Sequence, residues 1–301
     1  YLDHILKLRA EQKDPPLDPP ANLAPFTEHK KRIVTTDMNE QFAIVHEMSA
    51  LLASTVPLIE LVALMTGLVR GLTDTQASSA RGTCVLLYGL VNQRGNELTS
   101  DVQKLVAEMC TQMGGITNES TLNGTLHALR QLAVTHLSIV MEQLLKLPLP
   151  HPPHVVKAFQ VIALDTGLQS KVLQYLCAAL NTEEVIETRI VDKNKKTVDN
   201  FPTAKSLAAT VALGEIFLKE ELHDFVLENY WLIFTTLMLR LGSSSGFAEA
   251  TEQTVNSYKQ FLVCAGEEQI INKLTEEDAF TNLKSSSNQL EAVTKITSYV
   301  G

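Results

Sequence analysis

This sequence predicts an all-α fold: an α-solenoid of about six antiparallel helix pairs in a right-handed superhelical stack. Three observations carry that expectation. Amphipathic apolar runs of helical length recur along most of the 301 residues, which read as one continuous array over 1–301. Tight breaks separate the runs, most clearly between Met141 and Asn181, where Leu147-Pro-Leu-Pro150 and Asp165-Thr-Gly167 each end one helix before the next. The first helix of each pair starts near residue 39, 76, 119, 153, 202 or 247, a mean step of about 42 residues, inside the ~40–47 range of HEAT and armadillo repeats. One such pair cannot bury its apolar faces alone, and stacked neighbours supply the core.

The elements follow in order. Residues 1–10 read as the end of a helix. Residues 11–31 form a Pro-rich surface loop, with five of the eleven prolines between Pro15 and Pro25. Lacking backbone donors, that stretch runs extended. Asp37-Met-Asn-Glu40 has the form of a capping box and opens a helix to about Ala53. Pro57 suits the first turn of the next, which ends at Gly71 and carries Leu58, Leu61, Val62 and Met65 on one stripe. Asp74 caps a third helix, ending near Gly95. Thr99 or Ser100 caps a fourth, over 101–113, closed by Gly114-Gly115. Asn118 caps a fifth, and a bend near Thr135-His136 leads into a sixth, over 137–147. Val155 and Leu168 begin the seventh and eighth.

The rhythm then fails. Residues 182–200 read as a polar inter-repeat loop in which Val185-Ile186 and Ile190-Val191 hint at short extended pieces. It is too long and polar for an ordinary inter-helix turn, so it is either functional or mobile. Pro202 restarts the helices, over 203–218, 221–241 and 247–265, with a last helical stretch over 267–300.

The net charge of −9 argues against a nucleic-acid binder built on a broad basic face and gives no general attraction to anionic membranes. Cys84, Cys110, Cys177 and Cys264 all lie in apolar helical surroundings and read as buried free thiols, which suggests a reducing compartment. No apolar run reaches the ~20 residues needed to cross a bilayer; the longest is 230–239. The chain opens at Tyr1 in mid-helix, without a signal-peptide pattern, and reads as a segment of a longer protein.

Candidate chemistry is sparse. His151 and His154 have a metal-like spacing, but the prolines between them prevent a regular helix and no nearby Cys or acid completes a set, so a polar inter-helix loop explains them better. His127 and His136 lie near Glu119 and Glu142, yet helical spacing scatters them over several faces and nothing supplies a nucleophile. His223 and Asp224 are sequential and point apart. Gly242-Ser-Ser-Ser-Gly246 lacks the Lys of a phosphate loop and reads as a C-cap, a turn and a Ser N-cap. Tyr230-Trp231 holds the single Trp; core packing is its default, and exposure would make it a binding hot spot. Two basic clusters stand out in the acidic chain: Lys30, Lys31 and Arg32 after His29, and Lys193, Lys195 and Lys196. They are the candidate interaction residues, for an acidic partner or a phosphoinositide headgroup, against a reading as solvated loop charge.

Several segments resemble the maestro heat-like repeat-containing protein family. They are Glu142-Gln-Leu-Leu-Lys-Leu-Pro-Leu-Pro150, Val155-Val-Lys-Ala-Phe159, Leu168-Gln-Ser-Lys-Val-Leu-Gln-Tyr-Leu176, Ala208-Ala-Thr-Val-Ala-Leu-Gly-Glu215, Leu237-Met-Leu-Arg-Leu-Gly242 and Gln289-Leu-Glu-Ala-Val-Thr-Lys-Ile296. Phe159 and Phe280 stand where the family pattern has Trp, which keeps an aromatic at each place. The resemblance implies a very long cytosolic HEAT-repeat protein with no catalytic residues and no cofactor. It also implies association with late endosomal or lysosomal membranes and a small GTPase partner there. No functional residue carries over. The expected function is a scaffold for protein partners, with a peripheral membrane module that binds anionic lipid or self-associates as the alternative.

Overall fold

The computed structural model describes residue 28 and residues 38–180, 186–192, 197–202, 204–245, 247–285 and 287–300. The Pro-rich loop 11–31, the helix end at 1–10, Asp37 of the capping box and both basic clusters lie outside those residues. From residue 38 on, the described residues form α1 (Met38–Thr55), α2 (Leu58–Gly71), α3 (Ala77–Arg94), α4 (Val102–Met113), α5 (Glu119–Leu145), α6 (Pro153–Ala163) and α7 (Gln169–Leu180). A hairpin follows, β1 (Ile186–Asp192) and β2 (Thr197–Pro202). After it the described residues form α8 (Ala204–Ile216), α9 (His223–Glu228), α10 (Tyr230–Ser243), α11 (Ala248–Cys264), α12 (Glu268–Glu276), α13 (Ala279–Leu283) and α14 (Gln289–Val300).

The helices stack in two layers. In one, α1 packs on α3, α3 on α5, α5 on α6, α6 on α8 and α8 on α11. In the other, α2 packs on α4, α4 on α5, and α7 on α10. Helix α5 serves both layers because it kinks: His136 leaves helical geometry at φ −128°, ψ 38°, where the sequence places a bend. The core runs unbroken between the layers through Leu61, Met65, Leu87, Met109, Leu129, Met141, Phe159, Leu176, Leu213, Leu237 and Phe261. The first-layer helices start at Met38, Ala77, Glu119, Pro153, Ala204 and Ala248, a mean step of 42 residues, as the sequence predicts. The protein is an all-α solenoid.

Several local expectations are corrected. Residues 182–200 are not simply a loop: β1 and β2 pair antiparallel, from Ile186 opposite Pro202 to Asp192 opposite Thr197, with an irregularity between Ile190 and Asp192. Pro202 therefore closes a strand instead of opening a helix, which suits a residue with no N–H at a ladder's end. The helix expected over 221–241 breaks at Asn229, whose side-chain amide donates to Phe225 O at 2.9 Å and whose backbone has φ −108° and ψ 15°. An Asn that bonds the preceding turn in this way competes with the helix ladder. Asn118 caps α5 as expected, accepting from Thr121 N at 3.0 Å. Asp74 instead accepts from Gln76 N at 2.8 Å in a turn before α3, and Asp101 precedes α4 without a side-chain cap. Pro57 is the residue before α2, and Phe247, not a Ser, is the residue before α11. Helix α10 runs through Gly242 to Ser243, so Gly242 is no cap.

Candidate interaction surface

Helix α10 is apolar on every side, Tyr-Trp-Leu-Ile-Phe-Thr-Thr-Leu-Met-Leu-Arg-Leu, so its pattern alone does not say which side faces in. The fold decides. Ile233, Phe234, Thr236, Leu237, Arg240 and Leu241 are buried on one side. Trp231, Leu232 and Leu239 share the opposite side and are 62%, 46% and 60% exposed; Leu227 on α9 extends the ridge at 45%. The core reading of Trp231 is thereby overturned: its partner layer takes up Tyr230 and Phe234 and leaves the indole outside.

The indole is anchored. It meets Tyr230 edge-on at 5.5 Å between centroids and Phe234 edge-on at 6.0 Å, and Tyr230 leans on Phe261 at 4.9 Å. Beside it lies a cleft of about 350 Å³ lined by Leu227, Tyr230, Trp231, Glu267, Ile270 and Tyr299. Tyr230 is pushed up to about 12 by burial and by the charge of Glu267, so its phenol stays protonated at neutral pH. That hydroxyl has no hydrogen-bond partner among the described residues. Glu267 stands at the cleft, with Glu228 and Glu268 exposed next to its lining residues. The site offers an aromatic anchor, aliphatic contacts, one buried O–H and a rim where Glu228, Glu267 and Glu268 outnumber Lys273, whose Nζ lies 5.3 Å from the centre of the Tyr299 ring, which suits recognition of an apolar segment carrying basic residues.

The other candidate residues are engaged elsewhere. His151 is buried, and its Nδ1 lies 2.7 Å from Glu215 Oε2, an acid 64 residues away that spacing along the chain cannot reveal. Gln160 Nε2 donates to Glu215 O at 2.9 Å in the same node. His154 lies against α4, its Cε1 3.4 Å from the place a Cβ on Gly114 would take, so the two imidazoles serve different contacts. No group of metal-ligating side chains gathers among the described residues. His136 Nε2 bonds Gly95 O at 2.8 Å, and His223 Nδ1 bonds Cys264 O at 2.8 Å. Glu142 pairs with Lys146 at 2.7 Å, which holds its carboxyl below the usual range, and Glu119 lies 3.8 Å from Lys157. Neither His127 nor His136 bonds either acid among the described residues. The four cysteines are free and buried. Lys30, Lys31, Arg32, Lys193, Lys195 and Lys196 lie outside the described residues. Among those residues no helix is long and apolar enough to cross a membrane.

Sequence reasoning also missed Arg240, which is 1% exposed on the buried side of α10. Its Nε donates to Thr210 Oγ1 at 3.2 Å, while Nη1 and Nη2 have no partner among the described residues. No sequence signal marks a lone Arg in an apolar run as buried instead of at the surface.

Comparison with known proteins agrees with the architecture. The model of the Maestro HEAT repeats matches residues 1–173, so the likeness extends into the first half of the chain. The Maestro heat-like repeat-containing protein family member 1 of Dictyostelium discoideum is 36% identical over 94% of this chain. Those of Bos taurus and Homo sapiens are 26% and 23% identical, each over 89% of it. The chain spans 18% of the length of each of these relatives. No solved structure matches it. A repeat step of 42 residues, a two-layer helical stack and a family match over residues 1–173 lead to one conclusion: the chain belongs to the Maestro HEAT-repeat family.

Proposed function

We propose that this chain is a non-catalytic scaffold segment that binds protein partners through the Trp231 ridge, at late endosomal or lysosomal membranes. The observation that carries the reading is the exposure of Trp231 with Leu232 and Leu239 on α10, whose other side is buried, and with Leu227 on α9. Single exposed leucines are ordinary on protein surfaces. An exposed apolar face that carries an anchored Trp has the make-up of an interface hot spot. The acidic rim selects a partner whose apolar anchors are flanked by Lys or Arg. The membrane address, and a small GTPase as one such partner, rest on the family resemblance. The non-catalytic reading draws support from the separate engagements of His136, Glu119 and Glu142 and from the absence of a bond between His127 and either acid among the described residues.

The test is proximity labelling of the intact protein in cells. Changing Trp231 and Leu239 to Ala removes a defined set of neighbours at unchanged abundance; an identical set of neighbours contradicts the reading. A second reading, a peripheral module that binds anionic lipid or self-associates on the membrane, draws on the two basic clusters in an otherwise acidic chain. Flotation with anionic liposomes that is lost on changing Lys193, Lys195 and Lys196 to Glu favours it, and no flotation removes it.

A further inference from the structure

A second surface differs from the Trp231 ridge in position and in sign. On α3, Arg81, Cys84, Val85 and Tyr88 share one face at helical spacing; on α5, Ser120, Thr121, Gly124, His127 and Arg130 do the same. The two faces line a groove of about 460 Å³. Its floor is small and uncharged. A Cβ on Gly124 would come within 2.5 Å of Cys84 Sγ, so glycine is what lets the helices meet here. The Cys84 thiol donates to Thr121 O at 3.4 Å, and burial pushes its pKa up to about 11, which keeps it neutral.

The walls are basic and no carboxylate lines them. Arg81 turns its Nε back to Ala77 O at 3.2 Å and pairs with no acid among the described residues. Arg130 forms an ion pair with Asp165 through Nη1 at 3.5 Å, and its Nε is buried without a partner among the described residues. In a chain of net charge −9, a groove lined by two arginines and by no carboxylate stands apart from the acidic balance of the whole.

Its length follows from helix geometry. Cys84 touches Thr121, and Gly95 touches His136, so α3 and α5 run in the same direction. Arg81 then lies near one end of the groove and Arg130 near the other, roughly 18 Å away along the axis at 1.5 Å per helical residue. An extended chain covers that span in about five residues.

We propose that the α3/α5 groove docks an acidic, extended segment of a protein partner. One carboxylate meets Arg81 and a second, about five residues on, meets Arg130, while a small or apolar side chain sits over Val85 and Gly124. This rests on the scaffold reading and adds a surface whose partner chemistry is opposite to that of the Trp231 ridge.

Fluorescence anisotropy with the 301-residue chain tests it. The probe is a fluorescein-labelled peptide, Glu-Glu-Leu-Ser-Glu-Glu, and its comparison replaces each Glu by Gln. The acidic peptide binds roughly tenfold tighter or better, and its affinity falls with added salt. Arg81→Glu and His127→Glu each lose about tenfold or more while retaining the parent circular dichroism, and Trp231→Ala loses nothing. Equal binding of the two peptides, no binding of either, or full affinity in both well-folded charge-reversal variants overturns the proposal. Binding to phosphatidylserine vesicles that is lost in Arg81→Glu, without peptide binding, overturns it in favour of a membrane surface. A negative peptide result beside Trp231-dependent neighbours in cells sinks the groove and leaves the scaffold reading standing.

Discussion

Arg240 and Trp231 sit on one helix with their ordinary places exchanged: the guanidinium is buried and the indole exposed. Burial pulls the Arg240 pKa down from its usual value, which reflects the cost of holding its charge in the core. One hydrogen bond to Thr210 compensates little of that cost. Arg240→Met, apolar and of similar reach, is expected to leave the unfolding midpoint unchanged or raise it; a loss of more than about 1 kcal/mol would mean that the charge is stabilising. His154 supplies a pH dependence. Burial holds its pKa below the ordinary 6.5, so the unfolded chain takes up the proton first as pH falls. Its contribution is complete above pH 6.5 and declines as the pH falls through the folded value. Thermal unfolding at pH 7.5 and 5.5 should therefore show a smaller acid loss in His154→Gln than in the parent, and parallel losses would refute that assignment.

At the scale of elements, neighbouring repeats are joined by side chains that reach the last carbonyls of a helix one repeat away. Arg94 Nη1 donates to Ala53 O at 3.0 Å and to Val56 O at 2.6 Å, while its Nε and Nη2 grip Glu97. His136 reaches Gly95, His223 reaches Cys264 and Gln289 Nε2 reaches Leu241 O at 2.8 Å. Helix C-terminal carbonyls have no partner within their own helix, so a donor from the adjacent repeat satisfies them and fixes the stacking. Three of these links span 41 residues, close to the repeat step. Small residues let the first-layer helices approach: a Cβ on Gly89 would strike Ser49, one on Gly124 would strike Cys84, and one on Gly214 would lie 3.0 Å from Ser257 Cα. Gly214→Ala is thus expected to cost about 1–3 kcal/mol in chemical denaturation. Gly82→Ala, on α3 with nothing within 4 Å, should stabilise by about 0.4–1 kcal/mol. Equal effects at the two sites would contradict the close-approach account. The repeat starts were legible because each rests on a break and a new apolar stripe. The caps at Asp74 and Ser100 were misread because several polar residues precede each helix and only tertiary packing chooses among them.

For the whole molecule, stacking explains both what the sequence reveals and what it hides. Period and helix order are local properties, and they are legible from the residues. Which side of a fully apolar helix faces out is a property of the stack, so Trp231 read as core until its neighbours were placed. Glu215 likewise meets His151 only across a repeat boundary, and Arg81 and Arg130 line one groove only because α3 and α5 pack across another. The outcome is an acidic solenoid with an acid-rimmed aromatic ridge and a separate basic groove. A protein partner is proposed to dock on the ridge. Site-specific photo-crosslinking checks this, with benzoylphenylalanine placed at Trp231 and, as a comparison, at Gln103, an exposed residue on α4. Discrete protein adducts are expected from position 231 that are absent from position 103 and lost when Leu239 is changed to Asp. No adduct at 231, or the same adducts at both positions, would contradict it.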